Sequence, residues 1–325
     1  MLIACQRRHV ACALLILGAG ALGAPLATAQ DAKVIRIIVP FGPGTPLDVA
    51  ARDIAQEMRG VLHQNIIVDN KPGAAGMIGG AELARTSDAA TTFMVTTHNT
   101  IVINPHLYRK MAYDPVKDFA PVGLVGGAGY VLVAGLDAPF RTLDQYLAAA
   151  RARPAQVSYG SLGVGSGAHL CAEKLVARTG VKLLHVPYTT GSITSVVGGQ
   201  VDTSWEPYAT AAPFIQSGKL VALGASTSYR PSIFPPEVPL LPQLLPGYEC
   251  TSWIGMFASA RAGEAVVARM ADALQKVVRL PSFQQRLRTN GFEPRPGTPA
   301  DLQKLVEADH RSWSKIVRDA GIALD

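Results

Sequence analysis

At 325 residues, 48% of them hydrophobic, the chain can bury a sizeable core, which excludes a disordered protein and favours two domains over one. The formal charge of +6 is mild, and the basic residues are scattered with no stripe of basic and aromatic side chains, so nucleic acid is excluded as a partner. A weakly positive balance is compatible with an anionic small molecule.

The N-terminus reads as an export signal. Arg7, Arg8 and His9 precede an apolar run from Val10 to about Leu22, and Ala27-Thr28-Ala29 supplies the small residues that signal peptidase needs. The run is about 13 residues long, short of the roughly 20 that a bilayer-spanning helix requires. Residues 1–29 are expected to be removed before Gln30, leaving a soluble periplasmic protein whose charge is about +4 without Arg7 and Arg8. Cys171 and Cys250 remain. An oxidising compartment permits a bond between them, and two buried thiols suit the sequence equally; free thiols are the expectation, because a bond across two lobes restricts their motion.

Short apolar, β-branched runs then alternate with helical patterns, at 34–39, 66–68, 93–97, 122–125, 131–134, 157–159, 183–186 and 221–225. Continuous apolar strands separated by helices imply α/β sheets covered on both faces, mainly parallel, with ligand bound at the carboxyl ends of the strands. The glycine-rich stretch 126–129 and the Ser- and Pro-rich stretch 226–239 read as two crossings between lobes. One lobe then takes residues 30–127 plus 228–325, and the other takes 128–227. A late strand at 253–258 returns to the first lobe, with helical patterns at 265–278 and 299–317 to cover it.

Two helix starts carry the functional signal. In the run 34–52 a buried strand ends at Pro40, Phe41-Gly42-Pro43-Gly44 form a turn, and Thr45, Pro46 and Asp48 take the N-cap, first and third helical positions. Unpaired amides and the helix dipole at such a start favour an anion, and glycines let it approach the backbone. The sequence holds its own control: Thr298-Pro299-Ala300-Asp301 repeats the cap without a strand and glycine turn before it, so the cap alone signals only a helix start. The run 157–175 repeats the full arrangement, with Gly160, Gly163, Gly165 and Gly167 after a strand, Ser166 as the cap, and Ser161 and Ser166 as extra hydroxyls. One such loop on each lobe suggests a clamp that converges on closure.

Competing chemistries fail on spacing. Neither Ser161 nor Ser166 lies in G-x-S-x-G, since Tyr159 and Val164 occupy the position two before each. No phosphate loop occurs, a dinucleotide fingerprint would need glycine at Ala168, and the histidines lack a spacing such as H-E-x-x-H. Asp202 and Glu206 are read as a cap and a solvated side chain. No catalytic residue, metal or cofactor is therefore expected.

The ordered motifs resemble the Bug-type (TctC-like) extracytoplasmic receptors of tripartite tricarboxylate transporters. They are IRIIVPFGPG with Asp48 and Arg52, NKPGAAG at 70–76, INPHLY at 103–108, YDPVKDFAPV at 113–122 and SYGSLGVGSGAHLCAE at 158–173, followed by HVPY at 185–188, GGQVD at 198–202, SGKLVALGAST at 217–227, PGYECTSWIG at 246–255 and DAGI near the C-terminus. The resemblance implies a two-lobed periplasmic binding protein of type II-like architecture, a monomer without catalysis or cofactor, that carries a small organic carboxylate to membrane permease subunits. It also implies that Phe41, Gly42, Pro43, Gly44 and Thr45, with Ser161, Gly163, Gly165 and Ser166, hold the carboxylate. Departures from the family pattern fall at Gly42, Thr45 and Leu47, at Thr189-Thr190-Gly191, and at Trp205-Glu206-Pro207. Thr97, His98 and Asn99 are expected in the cleft because they end a first-lobe strand; Trp205 could stack on a flat ligand and Glu206 accept from a hydroxyl or ammonium group. The alternatives are a sensor that presents its ligand to a membrane kinase, and a periplasmic hydrolase.

Overall fold

The computed structural model describes residues 33–188 and 191–324. The expected export signal and Thr189-Thr190 lie outside the described residues. The strands are β1 (Ile35–Val39), β2 (Ile66–Asn70), β3 (Thr92–Thr97), β4 (Phe119–Gly135), β5 (Ser158–Ser161), β6 (Leu184–Pro187), β7 (Thr203–Pro207), β8 (Leu220–Ala225), β9 (Thr251–Ser259) and β10 (Glu293–Gly297). The helices are α1 (Pro46–Leu62), α2 (Met77–Arg85), α3 (Asn104–Leu107), α4 (Leu143–Ala152), α5 (Gly167–Thr179), α6 (Ile193–Val197), α7 (Tyr208–Gln216), α8 (Leu241–Leu244), α9 (Glu264–Val278), α10 (Pro281–Thr289) and α11 (Pro299–Asp319).

The strand β1 shows why the apolar runs become buried strands. Ile35, Ile37, Ile38 and Val39 are all buried, which requires cover on both faces. One cover is α1, whose Leu47, Ala50, Ala51, Ile54, Ala55 and Met58 recur at helical spacing on its buried side. The hydrogen-bonded order is β2-β1-β3-β9-β4-β7-β5-β6, with β8 and β10 also pairing to β4. Parallel ladders join β1 to β2 and β3, and β5 to β6 and β7. The ladders made by β4 and β9 are antiparallel.

The two sheets read from the sequence therefore share one strand. Residues 119–129 of β4 pair with β9, and residues 130–135 pair with β7 and β8. The apolar runs 122–125 and 131–134 are parts of this single strand, and the glycine-rich segment 126–129 crosses between the halves without interrupting it. A Cβ on Gly129 would lie 2.4 Å from the Tyr208 hydroxyl and 2.6 Å from Thr227 Cγ2. The glycine here serves close side-chain approach within a strand, a use that sequence alone does not separate from a turn.

The cysteines correct an expectation. Cys171 on α5 is bonded to Cys250. Free thiols were expected because Cys250 was placed on the lobe opposite Cys171. Instead, the segment leading to Cys250 stays with the half containing β8. The Ser226 amide donates to Tyr130 O at 2.8 Å, the Cys250 amide to Ser226 O at 3.0 Å, and Arg178 of α5 to Pro246 O at 3.0 Å. The bond thus ties α5 to its own half of the sheet. It closes a loop with a sequence separation of 79, so reduction, or Cys171→Ser with Cys250→Ser, is expected to lower unfolding free energy by about 2–4 kcal/mol. Urea denaturation with and without reductant measures the loss.

Candidate ligand-binding site

Each glycine-rich loop is held in shape by a buried side chain from the helix it introduces. In the first loop Gly44 has φ +78, a conformation that favours glycine, and Thr45 caps α1. The Gly44 amide donates to Asp48 Oδ2 at 2.9 Å. Asp48, buried, also accepts from Arg52 Nε at 3.0 Å and from Asn70 Nδ2 at 2.9 Å, and Asn70 Nδ2 donates to Phe41 O at 3.0 Å. Burial alone raises the pKa of Asp48, but the hydrogen bonds from Arg52, Gly44 and Asn70 outweigh it and hold the carboxyl below its ordinary value.

The second loop repeats the device with an imidazole. The Gly165 amide donates to His169 Nδ1 at 2.9 Å, and Ser166 caps α5 by accepting from the His169 amide at 3.2 Å. With Nδ1 accepting, the ring proton of neutral His169 sits on Nε2, which lies 3.7 Å from Glu173 Oε1. His169 stacks on His185 at 4.1 Å between ring centroids, and His185 stacks on Tyr159 at 4.8 Å. Burial, then the neighbouring His185, pushes the pKa of His169 down to about 4. The amides of Gly44 and Gly165 are thus committed to side chains. The remaining donors are those of the first helical turns, such as Leu47 and Gly167, which have no intrahelical acceptor.

Both helix starts border one cavity of about 530 Å³. Of the residues singled out from the sequence, Phe41, Thr45, Thr97, Asn99, Gly165 and Ser166 line it. Gly42, Pro43, Gly44, His98, Ser161, Gly163, Trp205 and Glu206 are not among its lining residues. Ser161 is buried, bonded to both backbone groups of Gly163 and 2.7 Å from His185 Nε2. Trp205 packs in the core with its ring 5.8 Å from that of Tyr248, and Glu206 accepts from Ser192 Oγ at 2.7 Å. Burial raises the pKa of Glu206. Side chains alternate along β7, and only its last residue, Pro207, reaches the cavity.

His98 sits one layer behind. It is buried, with its ring 5.8 Å from Trp313 and 6.3 Å from Trp253, and its Nδ1 lies 2.7 Å from Ser252 Oγ. Ser252 itself lines the cavity, so His98 positions a lining hydroxyl. Asn104, Tyr130 and Ser252 are polar lining residues that the sequence reading missed. Asn104 lies in INPHLY, and its Nδ2 donates at 2.9 Å to the carbonyl of Ala75, another lining residue, which is held at φ +53. Tyr130 packs over Gly167, where a Cβ would lie 2.0 Å from the Tyr130 hydroxyl.

The family model described as Tripartite tricarboxylate transporter family receptor matches residues 50–322. The chain belongs to this receptor family. The match begins inside α1, just after the first glycine loop, where the sequence departs from the family pattern. The UPF0065 protein in the tcbD-tcbE intergenic region of Pseudomonas sp. (strain P51) is 31% identical over 317 residues, covering 96% of the receptor described here and 94% of that relative. The solved structure of R. palustris Rpa4515 with adipate has a TM-score of 0.80 at 29% identity, over 90% of this chain and 99% of the other. MatC (Rpa3494) from Rhodopseudomonas palustris with bound malate has a TM-score of 0.75 at 29% identity, over 87% and 98% respectively. The α/β periplasmic-binding-protein fold expected from the sequence is thus the fold of the receptor. Among the described residues no helix is long and apolar enough to cross a membrane.

Two substitutions test the architecture of the site. Asp48→Ala leaves the Gly44 and Asn70 donors without their acceptor, and is expected to lower stability by about 2 kcal/mol, with Asp48→Asn losing less; denaturant midpoints read the difference. Burial lowers the His98 pKa from 6.5 to about 3. Between those values the unfolded chain binds a proton that the folded chain refuses. The stability carried by neutral His98 is therefore complete above about pH 6.5 and falls as the pH drops toward 3. His98→Gln is expected to remove up to about 1.4 kcal/mol per pH unit from that slope. Urea denaturation from pH 7 to 4 measures it, and an unchanged slope contradicts the assignment.

Proposed function

We propose that the receptor binds a small organic carboxylate in the cavity between its halves, as a monomer in the periplasm, and delivers it to the permease subunits of a tripartite tricarboxylate transporter. The observation that carries this reading is the meeting of two helix starts, α1 and α5, from opposite halves of the sheet at one cavity. Each presents first-turn amides and the positive end of a helix dipole, supplemented by hydroxyl or amide side chains of Thr45, Ser166, Thr97 and Asn99. Rpa4515 with adipate and MatC with malate are relatives with carboxylates bound, which supports the ligand class. A disulfide fits an oxidising compartment, which supports export.

The lobes in this reading are 33–127 with 251–324, and 128–250. The second crossing then moves from 226–239, where the sequence suggested it, to the link between Cys250 and β9, because 226–250 is hydrogen-bonded to the second half. Binding proceeds without turnover. Ser161 and His185 approach as a nucleophile and base would, but Ser161 is fully buried and does not line the cavity, so its hydroxyl meets no guest there.

A thermal-shift panel of mono-, di- and tricarboxylates, each run beside its uncharged amide, tests this reading. At least one acid is expected to stabilise the receptor, by about 2.7 kcal/mol at a hundred times its Kd, while its amide does not. Ser166→Ala is expected to weaken binding of that acid about tenfold by calorimetry. Equal stabilisation by acid and amide would remove the carboxylate from the account.

A further inference from the structure

We infer that the ligand carries a single carboxylate on an apolar body, and that polyanionic acids are poor ligands for this chain. The inference rests on the carboxylate reading above and narrows it.

Among the described residues, no Asp, Glu, Lys, Arg or His lines the cavity. The positive potential available to a guest comes from two helix ends, each equivalent to about half an elementary charge, so together they match about one carboxylate. Arg52, in the second turn of α1, is engaged with Asp48 and Asn70 and is not a lining residue. A second or third carboxylate inside the cavity is stripped of water without a cation to meet it, which favours a guest of lower charge.

The rest of the lining points to what the guest's body is made of. Leu162 and Val164 stand between the glycines of the second loop, 50% and 46% exposed, and both border the cavity. Leu47, Leu107, Phe41 and Phe292 line it as well. Large aliphatic side chains left half exposed beside a cavity gain from contact with an apolar guest, because that contact removes both surfaces from water. A short polar diacid offers no such surface.

Hexanoate is adipate with one carboxylate replaced by a methyl group, so the pair isolates the effect of the second charge. By calorimetry on the full mature chain, hexanoate and 3-phenylpropionate are each expected to bind about tenfold or more tightly than adipate, malate or citrate. Leu162→Gln, at a half-exposed position where substitution leaves the fold intact, is expected to weaken hexanoate about threefold or more while moving malate less than twofold. Tighter binding of adipate, malate or citrate than of hexanoate overturns the inference and leaves the receptor reading standing. An equal effect of Leu162→Gln on hexanoate and malate also overturns it. If hexanamide binds as tightly as hexanoate, the carboxylate reading falls and takes the inference with it.

Discussion

A helix cannot satisfy the amides of its own first turn, and the arrangement of this receptor follows from bringing two such unsatisfied ends to one cavity. The α1 and α5 starts follow strands that end on opposite sides of β4, and each strand delivers its glycine loop at the carboxyl edge of the sheet. The loops are not themselves the donors they first appear to be. Gly44 and Gly165 give their amides to Asp48 and His169, which lie on the helices just beyond. What remains free for a guest is the helical turn, with Thr45 and Ser166 at its mouth.

This division of labour explains why a carboxylate and an imidazole are buried so close to a site proposed for an anion. Asp48 is neutralised locally by Arg52 and by neutral donors, and His169 is kept uncharged by burial and by its stacked neighbour His185. Each fixes a backbone turn that contains a glycine at positive φ. At Gly165 the absence of a side chain also admits Leu107 and Leu324, since a Cβ would lie 2.6 Å and 3.2 Å from their methyl groups. The glycine is therefore needed for packing against these neighbours as well as standing at the cavity.

Much of this was legible before the structure. Eight of the ten strands leave apolar runs, and both caps follow from Thr-Pro and Ser-Gly at helix starts. The strand β7 was missed because its apolar content is one tryptophan, and β10 because two of its five residues are proline. Within the site, Thr97 and Asn99 were found from their position at the end of β3, whereas Trp205 and Glu206 were misplaced relative to the cavity because alternation along a strand cannot say which face is the core. Asn104, Tyr130 and Ser252 reach the cavity from elements far apart in sequence, and no local pattern announces such convergence.

The uninterrupted course of β4 has a mechanical consequence. Its ladders are irregular at residues 121–123 and 124–126 opposite β9 and at 132–133 opposite β8, on either side of the glycines where it crosses. Bulges concentrate twist. Any rotation of one half against the other would have to pass through this strand, as torsion shared over several peptide units. The parallel ladders β2-β1-β3 and β7-β5-β6 lie outside that path, one on each side of it.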